Sequence, residues 1–92
     1  MKLKIYIILQ NENGGYDTYS DAVVIAESEE EAKRMHPAGK QNIDSEGYFI
    51  DELGRINYGT WAYNISEVKV VYIGEAKEGS NKGIVCASFH AG

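Results

Sequence analysis

Leu3-Lys4-Ile5-Tyr6-Ile7-Ile8-Leu9 is the stretch on which the fold turns. Leu3, Ile5, Ile7 and Leu9 fall on one side of an extended chain, and Lys4, Tyr6 and Ile8 on the other. This period of two in β-branched and aromatic residues defines a strand. Asn11-Glu12-Asn13-Gly14-Gly15 follows and breaks it, because Asn and Gly accept positive φ cheaply. Tyr16 to Tyr19 then lead into a second strand over 21–26, where Ala22, Val24 and Ala26 alternate with Val23 and Ile25. The two strands are expected to pair antiparallel, with a register that so long a loop leaves open.

Ser28-Glu29-Glu30-Glu31 has the form of a capping box. The Ser28 hydroxyl is placed to accept from the Glu31 N–H while Glu31 reaches back to the Ser28 N–H. The glutamates suit the positive end of a helix dipole, and Lys33, Arg34 and His36 suit the negative end. Pro37 stops the helix after two to three turns, and Ala32 and Met35 are its expected core contacts. Residues 40–63 are cut into short pieces by Gly47, Gly54 and Gly59, with a small hairpin about Glu52-Leu53-Gly54. Asn64 caps a single turn toward Glu67, and strands follow over 68–73 and 83–89, reading as a hairpin about the turn in 77–82. The order β-β-α-hairpin-β-β gives one α+β domain over 1–92: a mostly antiparallel four-stranded sheet with one short helix.

The strands are apolar on both sides, and one short helix cannot cover two faces of a sheet. Either residues 40–63 fold over the second face or another subunit does, so a homo-oligomer is expected, with edge-strand pairing as its route. A chain of 92 residues buries only about two-thirds of its unfolded surface, which adds to that expectation.

Composition excludes several classes of function. The hydrophobic content of 43% is enough for a core, and no apolar run approaches the roughly 20 residues that span a bilayer. No signal-peptide cleavage site follows the first strand, and a single cysteine cannot close an internal disulfide, so a cytoplasmic protein is expected. The net charge is −5 and the nine basic residues are scattered, which speaks against direct nucleic-acid binding.

Chemistry-bearing residues are sparse. Cys86, Ser88 and His90 share a strand face, but positions four apart on a strand lie roughly 13 Å from each other, too far for proton transfer. His36, His90 and one cysteine give no zinc spacing, and the acidic run 27–31 lacks the alternation of a calcium loop. No catalytic residue, metal site or cofactor is assigned. Tyr16, Tyr19, Tyr48, Tyr58, Trp61 and Tyr63 lie in or beside loops, where rings with polar tips build contact surfaces or else close the sheet ends as core. Asp17 either fixes a polar group of a ligand or forms an Asx-turn.

The runs Gly15-Tyr16-Asp17-Thr18-Tyr19, Asp21-Ala22-Val23-Val24, Ala26-Glu27-Ser28-Glu29-Glu30-Glu31-Ala32 and His36-Pro37 resemble a family of small proteins encoded by bacteriophages and prophages. Trp61, Val68-Lys69-Val70, Gly74-Glu75-Ala76 and the closing run 83–92 carry the same likeness. It covers the chain apart from roughly residues 40–60, which vary in length in such proteins, and Asn usually stands where this chain has His90. The resemblance implies a context: phage accessory proteins act against host defences by blocking a host protein or by sequestering a nucleotide-like signalling molecule. In either case Tyr16, Asp17, Tyr19, Trp61, Tyr63, Ser88 and His90 are the candidate binding residues.

Overall fold

In the computed structural model, residues 2–14, 17–39, 41–57 and 59–90 are described, the last two by their backbone. The elements are β1 (Lys4–Leu9), β2 (Thr18–Ala26), α1 (Glu29–Lys33), β3 (Asn42–Ile43), β4 (Phe49–Ile50), a 3-10 turn (Ile65–Glu67), β5 (Lys69–Glu75) and β6 (Gly83–His90). The alternating segments form a four-stranded antiparallel sheet, and β3 with β4 forms a second, two-stranded one. The fold is thus α+β and mostly sheet, as the alternation implies.

The order across the large sheet is β5-β1-β2-β6. This corrects the expected β5–β6 hairpin. Residues 76–82 carry the chain across the end of the sheet, where the Ala76 N–H donates to the Leu3 carbonyl at 2.9 Å. The central pair therefore consists of β1 and β2, the two most continuously apolar runs. Both edge strands carry an irregularity: the β1–β5 ladder shifts between Ile5 and Tyr6, and the β2–β6 ladder between Val23 and Val24 and again near the start of β2.

The helix is shorter than its sequence implies, five residues. The Glu31 N–H donates to Ser28 Oγ at 3.1 Å as the capping box requires, but Glu31 Oε1 takes the Glu27 N–H at 2.8 Å in place of that of Ser28. His36 does not serve the helix dipole. It is buried, with its ring edge-on to Phe49 at 5.3 Å and 84° and tilted against Trp61 at 6.4 Å. Asn64 caps its turn as expected, its side chain accepting from the Ser66 N–H in place of that of Glu67. The expected turn at 51–54 forms: the Gly54 N–H donates to the Asp51 carbonyl, the Asp51 N–H to the Arg55 carbonyl, and the Asn57 N–H to the Phe49 carbonyl.

A single core lies on one side of the sheet. Tyr6 and Ile8 of β1 and Ala22, Val24 and Ala26 of β2 pack with Ala32, Phe49, Trp61, Ala62 and Val68. The segment between the helix and β5 thus folds over the face that the helix already covers. A shortest dimension of 19 Å fits one sheet and one covering layer, since packed layers lie about 10 Å apart.

Candidate functional site: an open sheet face and a stitched sheet end

The end of the sheet where β2 begins is held together by amide side chains. Gln10, 7% exposed, donates from Nε2 to the Asn13 and Tyr19 carbonyls at 2.9 and 2.8 Å and accepts the Asn13 N–H at 2.8 Å. Asn13 Nδ2 in turn donates to the Gly59 and Trp61 carbonyls, and the Tyr19 N–H donates to the Thr60 carbonyl at 2.7 Å. Glu12 accepts the Tyr63 N–H at 2.8 Å. A buried amide is costly unless satisfied, so this network fixes the loop after β1 against residues 59–63. Neither Gln10 nor Asn13 stood out in the sequence. Their signal is the concentration of amides in a turn, where such side chains compete for backbone groups.

Most of the sequence candidates meet at this end. Asp17 is exposed, with φ 59 in the left-handed region, and Tyr19 and Tyr63, whose N–H groups are held by Thr60 and Glu12, are half-buried. Trp61 is fully buried and belongs to the core, so it offers no contact surface; the alternative reading of the loop rings holds for it. Ser88 is exposed on β6 opposite Asp21. Tyr16 and Tyr58, and the side chain of His90, lie outside the described residues, although the His90 backbone pairs with Thr18.

Among the described residues nothing covers the other side of the large sheet. Its register sets the outward side chains in three rows across the strands. One row is Lys69, Leu9, Asp21 and Ser88; the next is Val71, Ile7, Val23 and Cys86; the last is Ile73, Ile5, Ile25 and Val85, the two outer residues standing at the ladder shifts. Val71, Ile73 and Val85 are 49%, 51% and 57% exposed, while those of the central strands are half-buried by their neighbours. Two rows are therefore apolar, and polarity is confined to the row beside the stitched end. Scattered exposed apolar residues are ordinary, but a contiguous patch marks a contact site.

A cleft of about 860 Å³ lies beside the helix, lined by Met35, Ile43 and Ile84 together with Arg34 and Lys82. These cations already face carboxylates: Lys82 Nζ lies 3.1 Å from both Glu27 and Glu31, and Arg34 lies 3.4 Å from Glu30. Burial pushes His36, also on the lining, down to about 4, so its imidazole is neutral at pH 7. Cys86 is exposed on the open face, whereas His36 is buried against Phe49 and Trp61 of the core on the opposite side of the sheet. Among the described residues no group of His, Cys, Asp and Glu gathers to hold a metal, and no helix is long and apolar enough to cross a membrane.

Comparison of this chain with protein-family models, with curated proteins and with solved structures yields no match.

Proposed function

We propose that the protein works by binding: a phage-type accessory protein that associates with a host defence factor and inhibits it by occupying its surface. The open apolar sheet face is the observation that carries this reading. Two rows of Val and Ile, with Cys86 at the end of one, span the width of the sheet as an association surface, and they cost solubility without a partner. The family resemblance supplies the host context. Sequestration of a nucleotide-like signal would call for uncompensated cations in a cleft. Arg34 and Lys82 each have a glutamate partner, so protein binding is the reading adopted.

Native mass spectrometry of tagged protein purified from bacterial cells tests it. The expected result is one host polypeptide bound in a fixed ratio to the natural chain and lost from the Val71→Asp/Val85→Asp variant, which melts as the natural chain does. Retention of that polypeptide by the variant, or a stoichiometric small ligand in its place, would overturn the reading.

A further inference from the structure

We infer that a second copy of this chain covers the open sheet face, forming a two-fold sandwich whose axis runs along the strands. The inference rests on reading that face as an interface and names its occupant. Four strands about 4.8 Å apart and three rows about 6.8 Å apart make a face of roughly 19 by 20 Å. Two such faces with their side-chain relief bury on the order of 1,000 Å², the lower bound for a specific contact. Aligned sheets pack about 10 Å apart with their inner side chains interdigitated. The edges are poor alternatives, because the ladder shifts at Ile73 and Val85 twist both of them away from a partner strand.

Charge selects the axis. Asp21 and Lys69 flank Leu9 in the polar row, and neither is in an ion pair within the chain among the described residues. A two-fold across the strands would lay this row on the apolar row of Ile5 and Ile25, burying both charges without counterions. A two-fold along the strands lays polar row on polar row in reversed order. Each Lys69 then stands opposite Ser88 of the other copy and one strand from its Asp21. Two Lys69–Asp21 attractions outweigh the single approach of the two Asp21 side chains at the axis, while the two apolar rows each meet their own copy. The same axis brings both stitched ends to one end of the assembly, and the host polypeptide then binds the paired chains, so that Val71→Asp/Val85→Asp loses it together with the second copy.

Sedimentation of the natural chain, of Asp21→Lys, of Lys69→Asp and of the double exchange, each across a range of concentrations, tests this. The natural chain is expected to move from 10.2 kDa toward twice that mass as concentration rises. Each single exchange puts like charges together and should raise the midpoint concentration at least about tenfold, and the double exchange should restore it. Reaction of the exposed Cys86 with a thiol reagent gives an independent readout: labelling should slow with concentration in the natural chain and the double exchange but not in the singles. Circular dichroism melts of the four chains separate misfolding from lost association. A chain monomeric at every concentration, or a double exchange no better than the singles, overturns the second copy. If face variants then still lose the host polypeptide, the interface reading stands; if they change neither self-association nor capture, both fall.

Discussion

Acidification should destabilise this protein well before its carboxylates protonate, and His36 is the reason. The ring is 3% exposed, edge-on to Phe49, and its Nδ1 accepts the Ala38 N–H at 3.0 Å, an arrangement that only the unprotonated nitrogen permits. Burial lowers its folded value from 6.5 to about 4. The folded state thus binds fewer protons than the unfolded chain across that window. The stabilisation is complete above the unfolded value and is lost as pH falls through the window toward the folded one. Linkage with these two values gives a loss of about 2 kcal/mol by pH 5 and about 3 kcal/mol by pH 4. A small domain holds only about 5–15 kcal/mol in total. Glu31, with the Glu27 N–H as the largest cause, is lowered from 4.5, so its contribution is present above that value and is lost only at lower pH. The assay is urea unfolding from pH 7 to 5, followed by the fluorescence of the single tryptophan, which is buried beside His36. The midpoint should fall steadily across this range, and His36→Gln should remove the slope whatever it does to stability at pH 7. A natural chain with constant stability from pH 7 to 5, or a His36→Gln chain that keeps the slope, refutes the reasoning.

Two further outcomes follow from packing and backbone geometry. Trp61→Ala empties the largest fully buried position and should cost about 3–5 kcal/mol, read as a fall in the urea midpoint by circular dichroism; preserved stability would return Trp61 to the list of surface contacts. Gly47 and Gly54 have φ 92 and 79, but only at Gly47 would an added Cβ meet neighbours, Asn64 Oδ1 at 3.0 Å and Ile65 Cγ1 at 3.1 Å. Gly54→Ala should therefore cost about 1–2 kcal/mol, the backbone term alone, and Gly47→Ala clearly more; equal losses in thermal melts would show that the contacts with Asn64 and Ile65 give way freely.

Local features were legible without the fold. The alternation in 3–9, 21–26 and 68–73, the Ser28 hydroxyl before three glutamates, and the Gly54 turn each act over a few residues and each forms. Features that depend on a distant neighbour were not legible. Gln10 shows an ordinary polar residue after a strand, and its burial follows only from residues 59–63 closing over it. His36 shows a cation near a helix end until Phe49 and Trp61 enclose it. The candidate site divides in the same way: the apolar character of Ile5, Ile7, Val71 and Ile73 was visible, but not which side of the sheet the core would take.

By itself, then, the amino-acid order determined where strands, helix and turns occur and that both sides of the sheet are apolar. Periodicity and capping are properties of neighbouring residues, and they need nothing else. Tertiary structure alone decided that β6 lies beside β2 instead of β5, and that residues 41–68 cover the side of Tyr6 and Ile8. The period of two assigns a side chain to a face but carries no information about which strand lies alongside or what lies above. Those choices are settled by long-range closure, which among the described residues puts the covering layer on one face and leaves the other open.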